Sequence, residues 1–239
     1  MSRIADERGA AVERMFAGIA PRYDFLNRFL SAGRDCAWRR EAVRATRLPP
    51  GGRLLDVCTG TSDMALEAAR QFPAARIAGI DFCRPMLAVG LAKVTRAGLG
   101  ARIRLQAALA EALPFADESF EAVTVAFGLR NIPDRPAALR EMLRVLRPGG
   151  RAVILELTTP PHRLFRPLFL CYFQRILPRV GRLVSGHRSA YDYLPASVSA
   201  FPPPEEVAAR MREAGFGEVS YRYLTCGIAA IHAGVKGPT

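Results

Sequence analysis

The chain has 239 residues, half of them hydrophobic and 23% charged, with a formal net charge of +12. That is enough apolar material for one large core, and the scatter of charge excludes long disorder. Five dispersed cysteines with no CxxC pair, and three histidines without ligand spacing, argue against a zinc or disulfide framework and fit a reducing compartment.

Residues 4–47 read as helical, with "AVERMFAGIA" interrupted by Pro21 and "WRREAVRAT" resuming the period. The N-terminus is charged and lacks the apolar stretch of a secretory signal, and no apolar run is long enough to span a bilayer. "LPPGGR" (48–53) is the turn into the main domain. Strands and helices then alternate: "RLLDVC", a helix over 63–72, "RIAGID", a helix over 84–97, "RIRLQA", "FEAVTVAFG", a helix over 135–147 and "GGRAVILEL". This rhythm predicts a parallel sheet covered on both faces. After a helix over 204–214, "GEVSYRYLT" and "GIAAIHAGVK" predict an antiparallel hairpin at one edge. Residues 160–203 break the pattern. The part "PHRLFRPLFLCYFQRILPRVGRLVSGHR" has arginines and no acids, and reads as an apolar, basic insertion.

In an open parallel sheet, ligands sit beyond the carboxyl ends of the strands. Asp56, the 58–63 loop, Asp81 and the 127–131 segment fall at such ends. Asp81 closes a strand and suits the two hydroxyls of a ribose. The loop "DVCTGTSD" then separates the nucleotide classes. A dinucleotide loop offers GxGxxG to a pyrophosphate, whereas this one holds only Gly60 and starts its helix with Asp63. A carboxylate there suits the helix dipole but repels phosphate. S-adenosylmethionine carries a sulfonium and an ammonium and no phosphate, so the loop suits that cofactor. The plain alternative is that Asp63 only caps the helix and Gly60 only turns the chain.

These segments together resemble the quinone-biosynthesis C-methyltransferases that make menaquinone and ubiquinone. The likeness runs nearly end to end: "MFAGIAPRYDFLNRFLSAGRDCAWRR", "LLDVCTGTSDMA", "GIDFCRPML", "AEALPFADESFEAVTVAFGLRNIPD", "ALREMLRVLRPGGRAVILEL", "YDYLPASVSAFP" and "LTCGIAAIHAGVK". The resemblance implies one domain over 1–239 with a helical segment 1–47 and a lid insertion 160–203. Its fold would be a Rossmann-like, seven-stranded class I methyltransferase sheet, mostly parallel with an antiparallel edge strand. It implies methyl transfer from S-adenosylmethionine to a ring carbon of a polyprenyl quinol, with no metal. The cofactor residues carried over are Asp56, Gly60, Thr61, Asp63, Asp81, Phe82, Leu109, Ala110 and Ala126.

Three positions at the cofactor pocket depart from the family pattern. Ser62 stands where the loop commonly has glycine, Leu109 where Asp or Asn meets the adenine amine, and Ala126 where serine is frequent. Losing one adenine hydrogen bond costs about 1 kcal/mol, near tenfold in affinity. A positive φ at Ser62 costs roughly 1 kcal/mol more, and its side chain is expected to crowd the methionine part. The expectation is a weakened but working cofactor site. The alternatives are a silent relative that binds quinone or scaffolds a biosynthetic complex, or a methyltransferase acting on another small molecule.

A quinol ring carbon becomes nucleophilic when a ring hydroxyl loses its proton, so the protein mainly aligns the reactants and stabilises the oxyanion. The candidates are Arg130 for the oxyanion or a proton relay through water, Asn131 to orient the quinol oxygen, and Tyr23 to close the site. His187 is a weaker candidate base. Phe165, Phe169, Tyr172 and Ile176 share one helical face, with Arg163 and Arg166 off it. The segment 160–188 is therefore expected to rest on the inner face of the cytoplasmic membrane of an otherwise cytoplasmic protein. A buried helix or a homodimer surface is the alternative. Nucleic acid is not expected as a partner, since no base-reading motif appears.

Overall fold

The computed structural model describes residues 3–176 and 188–238. Three helices come first: α1 (Arg3–Ile19), α2 (Tyr23–Leu30) and α3 (Arg34–Ala45). Pro21 interrupts the first run, and a 3₁₀ turn over Ala20–Arg22 links α1 to α2. The alternating region follows as β1 (Arg53–Val57), α4 (Asp63–Gln71), β2 (Arg76–Asp81), α5 (Arg84–Arg96), β3 (Ile103–Ala107), β4 (Phe120–Ala126), α6 (Arg135–Val145) and β5 (Leu146–Leu157). Then come α7 (Phe165–Cys171), α8 (Arg188–Ser199), α9 (Pro204–Glu213), β6 (Phe216–Leu224) and β7 (Ala229–Lys236).

The seven strands form one sheet in the order β3-β2-β1-β4-β5-β7-β6. The first five are mutually parallel, and β7 runs antiparallel to both β5 and β6. The expected hairpin therefore forms the edge, with the reversed strand one place in from it. Successive residues point to opposite faces, which divides the core. Leu54, Ala122, Val153 and Leu155 face Trp38, Val43, Met64 and Val94. Leu55, Val123, Val125 and Ile154 face Leu139, Met142 and Met211. Strand order reverses between β1 and β4, so the loops leaving their carboxyl ends diverge and open a crevice.

The insertion packs on the N-terminal helices. Phe169 and Phe173 stack with ring centroids 4.9 Å apart, buried against Ile19, Leu26 and Val198. The expected stripe is only partly inward: Phe165 is half-buried, while Tyr172 is exposed. The reason is local, because α7 passes into a π turn over Tyr172–Ile176. The wider π turn keeps Phe173, four residues after Phe169, on the inward side and swings Tyr172, three residues after it, outward. The side chain of Ile176, and the stretch 177–187 with His187, lie outside the described residues. Among the described residues no helix is long and apolar enough to cross a membrane.

Candidate active site

The crevice holds a cavity of about 300 Å³ beyond β1, β2 and β4. Its lining includes Gly60, Asp81, Phe82, Leu109, Ala110 and Ala126, six of the nine positions expected to hold the cofactor. Asp81 is buried, and each carboxylate oxygen accepts one backbone N–H, from Gly60 and from Cys83, both at 2.8 Å. Burial raises its pKa, and the amide donors oppose that rise. Two donors leave further lone pairs on the carboxylate for ribose hydroxyls. Gly60 has φ +53 with open space on its cavity side apart from the Met86 methyl. These features fit an adenosyl ligand: a strand-end acid with spare acceptors, and a loop backbone that nothing covers.

The other three expected residues stand behind the cavity wall. Asp56 pairs in register with Thr124 across β1 and β4 and accepts its hydroxyl at 2.8 Å, while Thr59 donates to the second oxygen at 2.6 Å. Burial pushes Asp56 up to about 6 against both hydroxyls. Its part is to shape the loop at the base of the site. Thr61 donates to Asp24 of α2 at 2.5 Å. Asp63 pairs with Lys93 of α5, whose Nζ also reaches Asp24 at 2.6 Å. The charge at the start of α4 is thus already answered from within the protein. Ser62 does have positive φ, at +67, but its wholly buried side chain turns toward Gly90 of α5. It does not line the cavity, so the expected crowding of the methionine part does not occur. Leu109, by contrast, does sit at the rim, about half exposed.

A second, apolar cavity of about 140 Å³ adjoins the first, and Tyr23 and Phe127 line both. Trp38, Leu157, Phe169 and Phe173 give it aromatic and aliphatic walls, and Arg130 faces it. Phe127 has φ +58, and the following Gly128 lets this segment pass against the cofactor loop. A Cβ at position 128 would lie 2.5 Å from Cys58 Cβ. Arg130 is buried, and its Nη1 donates to Glu156 Oε1 and to the Phe127 carbonyl, both at 2.6 Å. Its Nε is buried without a partner. Burial works most strongly against the guanidinium charge, but Glu156, Tyr23 and Tyr193 together hold the pKa above its usual value. Asn131 lines the first cavity and accepts the Tyr193 hydroxyl at 2.7 Å. Burial raises the Tyr23 phenol, and nearby Arg130 opposes the rise.

The geometry therefore brings Tyr23, Arg130 and Asn131 to the junction of two cavities, one edged by the Asp81 carboxylate and one walled by aromatic and aliphatic side chains. Sequence reasoning missed their supports. Glu156 was readable as a lone acid in an apolar strand, since a buried charge needs a partner. Lys93 and Tyr193 gave no such signal.

The ubiE/COQ5 methyltransferase family model matches residues 1–236. The ubiquinone/menaquinone biosynthesis C-methyltransferase UbiE of Geobacter sulfurreducens is 52% identical, covering 97% of this chain and 90% of that protein. The demethylmenaquinone methyltransferase of Thermus thermophilus is 51% identical over 92% of this chain and 99% of that protein. Among solved structures, the 4+2 cyclase SpnF aligns with a TM-score of 0.72 at 20% identity, covering 95% of this chain and 96% of that one. A SAM-dependent methyltransferase from Aquifex aeolicus aligns with a TM-score of 0.58 at 17% identity, over 83% and 89%. At such identities these two structures speak to the fold alone.

Proposed function

The chain belongs to the ubiE/COQ5 methyltransferase family, S-adenosylmethionine-dependent C-methyltransferases of quinone biosynthesis, and on that premise we propose that it methylates a ring carbon of a polyprenyl quinol seated in the apolar cavity. The observation that carries this reading is the junction itself. A cavity at the strand ends, edged by the Asp81 carboxylate, meets an aromatic-walled one across Tyr23 and Phe127, with one buried arginine facing the second.

In this reading Asp81 and the Gly60 backbone hold the adenosyl ribose, with Phe82, Leu109 and Ala110 around the adenine. Asp56, Thr61 and Asp63 keep the loop in shape behind it. When bound, S-adenosylmethionine supplies an electrophilic methyl group. Arg130 stabilises the oxyanion left when the quinol hydroxyl gives its proton to water at the mouth of the apolar cavity. The ring carbon that gains the methyl gives up its own proton to water as the aromatic ring is restored. The charge of Arg130 is fixed by Glu156, and its buried Nε–H has no partner among the described residues. Low polarity around it makes that stabilisation stronger than in water. Asn131, its carboxamide oxygen held by Tyr193, orients the ring oxygen, and Tyr23 shuts the junction against water. The outward sides of α2 and α7 rest on the bilayer from which the prenyl tail enters.

Incubation with S-adenosylmethionine and either a demethylnaphthoquinol or a methoxy-benzoquinol should add the mass of one methyl to at least one of them. No gain with either would sink the proposal, and the preferred arm identifies the quinol. Arg130→Lys should lower kcat by about 10- to 100-fold, with the affinity for S-adenosylhomocysteine unchanged.

A further inference from the structure

The turn from β6 to β7 holds three successive residues at positive φ: Thr225 at 46°, Cys226 at 55° and Gly227 at 91°. Among the described residues no other run of three does so. For a β-branched threonine this backbone is an outlier, and such strain persists where the surroundings enforce it. The threonine side chain is held by Trp38, the chain's single tryptophan, whose indole Nε1–H donates to Thr225 Oγ1 at 2.8 Å. An indole nitrogen only donates, so Oγ1 is the acceptor and the threonine's own proton is unused in that bond. Among the described residues no acceptor takes that proton. Thr225, Trp38 and Arg130 line the same apolar cavity.

We infer that the Thr225 hydroxyl is a substrate-binding group. It donates to the quinol oxygen para to the one that ionises, and the Trp38 indole aims it. The inference rests on reading this cavity as the quinol site. A hydroquinone carries two oxygens across one ring. Arg130 serves the reacting one, and an apolar cavity orients a flat ring only if the second oxygen also has a polar partner. Water reaches Thr225 at the cavity mouth, so the expected gain is that of one neutral hydrogen bond, about three- to tenfold in affinity.

The test uses the full chain with S-adenosylhomocysteine bound, as wild type, Thr225→Val and Thr225→Ser. Under reducing conditions each is titrated with a short-tailed demethylnaphthoquinol and with the naphthol lacking the distal hydroxyl, followed by Trp38 fluorescence. Equal S-adenosylhomocysteine affinity in all three reports an intact fold. The wild type should prefer the diol by about three- to tenfold. T225V should bind both ligands alike, and T225S, which keeps the hydroxyl, should restore the preference. No preference in the wild type, its survival in T225V, or its loss in T225S overturns the inference. Failure to transfer a methyl group counts against the proposed reaction instead, because these titrations involve no turnover.

Discussion

Ser62 pays twice for its position at the start of α4. Its backbone sits in the left-handed region, which costs a non-glycine residue about 1–2 kcal/mol, and its buried hydroxyl has no hydrogen-bond partner. An unmade bond of that kind costs about 1–3 kcal/mol. Gly90 is what makes room, since a Cβ there would collide with Ser62 Oγ. The two positions are therefore coupled. Ser62→Gly should stabilise the protein by about 1–2 kcal/mol after glycine's own entropic cost, with S-adenosylmethionine affinity changed less than threefold because residue 62 faces away from the cavity. Gly90→Ala should be destabilising alone and much less so beside Ser62→Gly, where the Gly60 carbonyl at 3.3 Å is the tight contact left and the helix propensity of alanine offsets it. Denaturant melts of the four proteins measure this. Additive effects would mean that the serine side chain lies elsewhere.

At the scale of elements, the sheet was legible and the fastening of its lid was not. Each strand of the alternating region announced itself as an apolar run, and those ending in Asp81 or just past Asp56 also located the crevice. The helix α8 went unread because Pro195 sits inside it and its apolar residues keep no clear period. The partner of Asp63 went unread because Lys93 is thirty residues away. Lys93 joins three elements: it pairs with Asp63 at the head of α4 and with Asp24 of α2, beside Tyr23. Thr61 of the cofactor loop adds its own bond to Asp24. The helix that closes the junction is thus tied to the loop beneath the cofactor cavity. Replacing Lys93 with methionine leaves two carboxylates facing each other without their shared cation. Hydrogen exchange over 20–30 should rise, and S-adenosylmethionine affinity should fall several-fold. The groups are partly exposed, so the change in stability should stay modest. Wild-type exchange in this variant would show that α2 is held by its apolar packing alone.

The whole molecule joins a net charge of +12 to an apolar face. α2 is apolar on two sides: Leu26 goes inward, while Phe25 and Phe29 stack with centroids 6.1 Å apart and stand 60% and 51% exposed. On α7 and its flanks, Leu164, Leu168 and Tyr172 are exposed as well, and the Tyr172 hydroxyl reaches the Leu30 carbonyl at the end of α2. Arg28, Arg163 and Arg166 are exposed on the same two elements. Large apolar side chains gathered on neighbouring helices are unusual on a protein that meets only water. Arginines beside them suit an anionic bilayer surface, at about 1 kcal/mol each. The apolar cavity is lined by Leu30 and Tyr172 from these two helices, so a prenyl tail leaving it would emerge beside the same face. Two kinds of substitution separate the contributions. Arg163→Glu with Arg166→Glu should cut binding to vesicles rich in anionic lipid by at least tenfold and leave the weak binding to neutral vesicles as it was. Phe25→Ser with Phe29→Ser should weaken both and raise the KM for a long-tailed quinol more than for a short-tailed one. Sedimentation with vesicles of the two compositions decides it. A wild-type chain that stays in the supernatant with both would leave the exposed phenylalanines to a protein partner and remove the bilayer from this account.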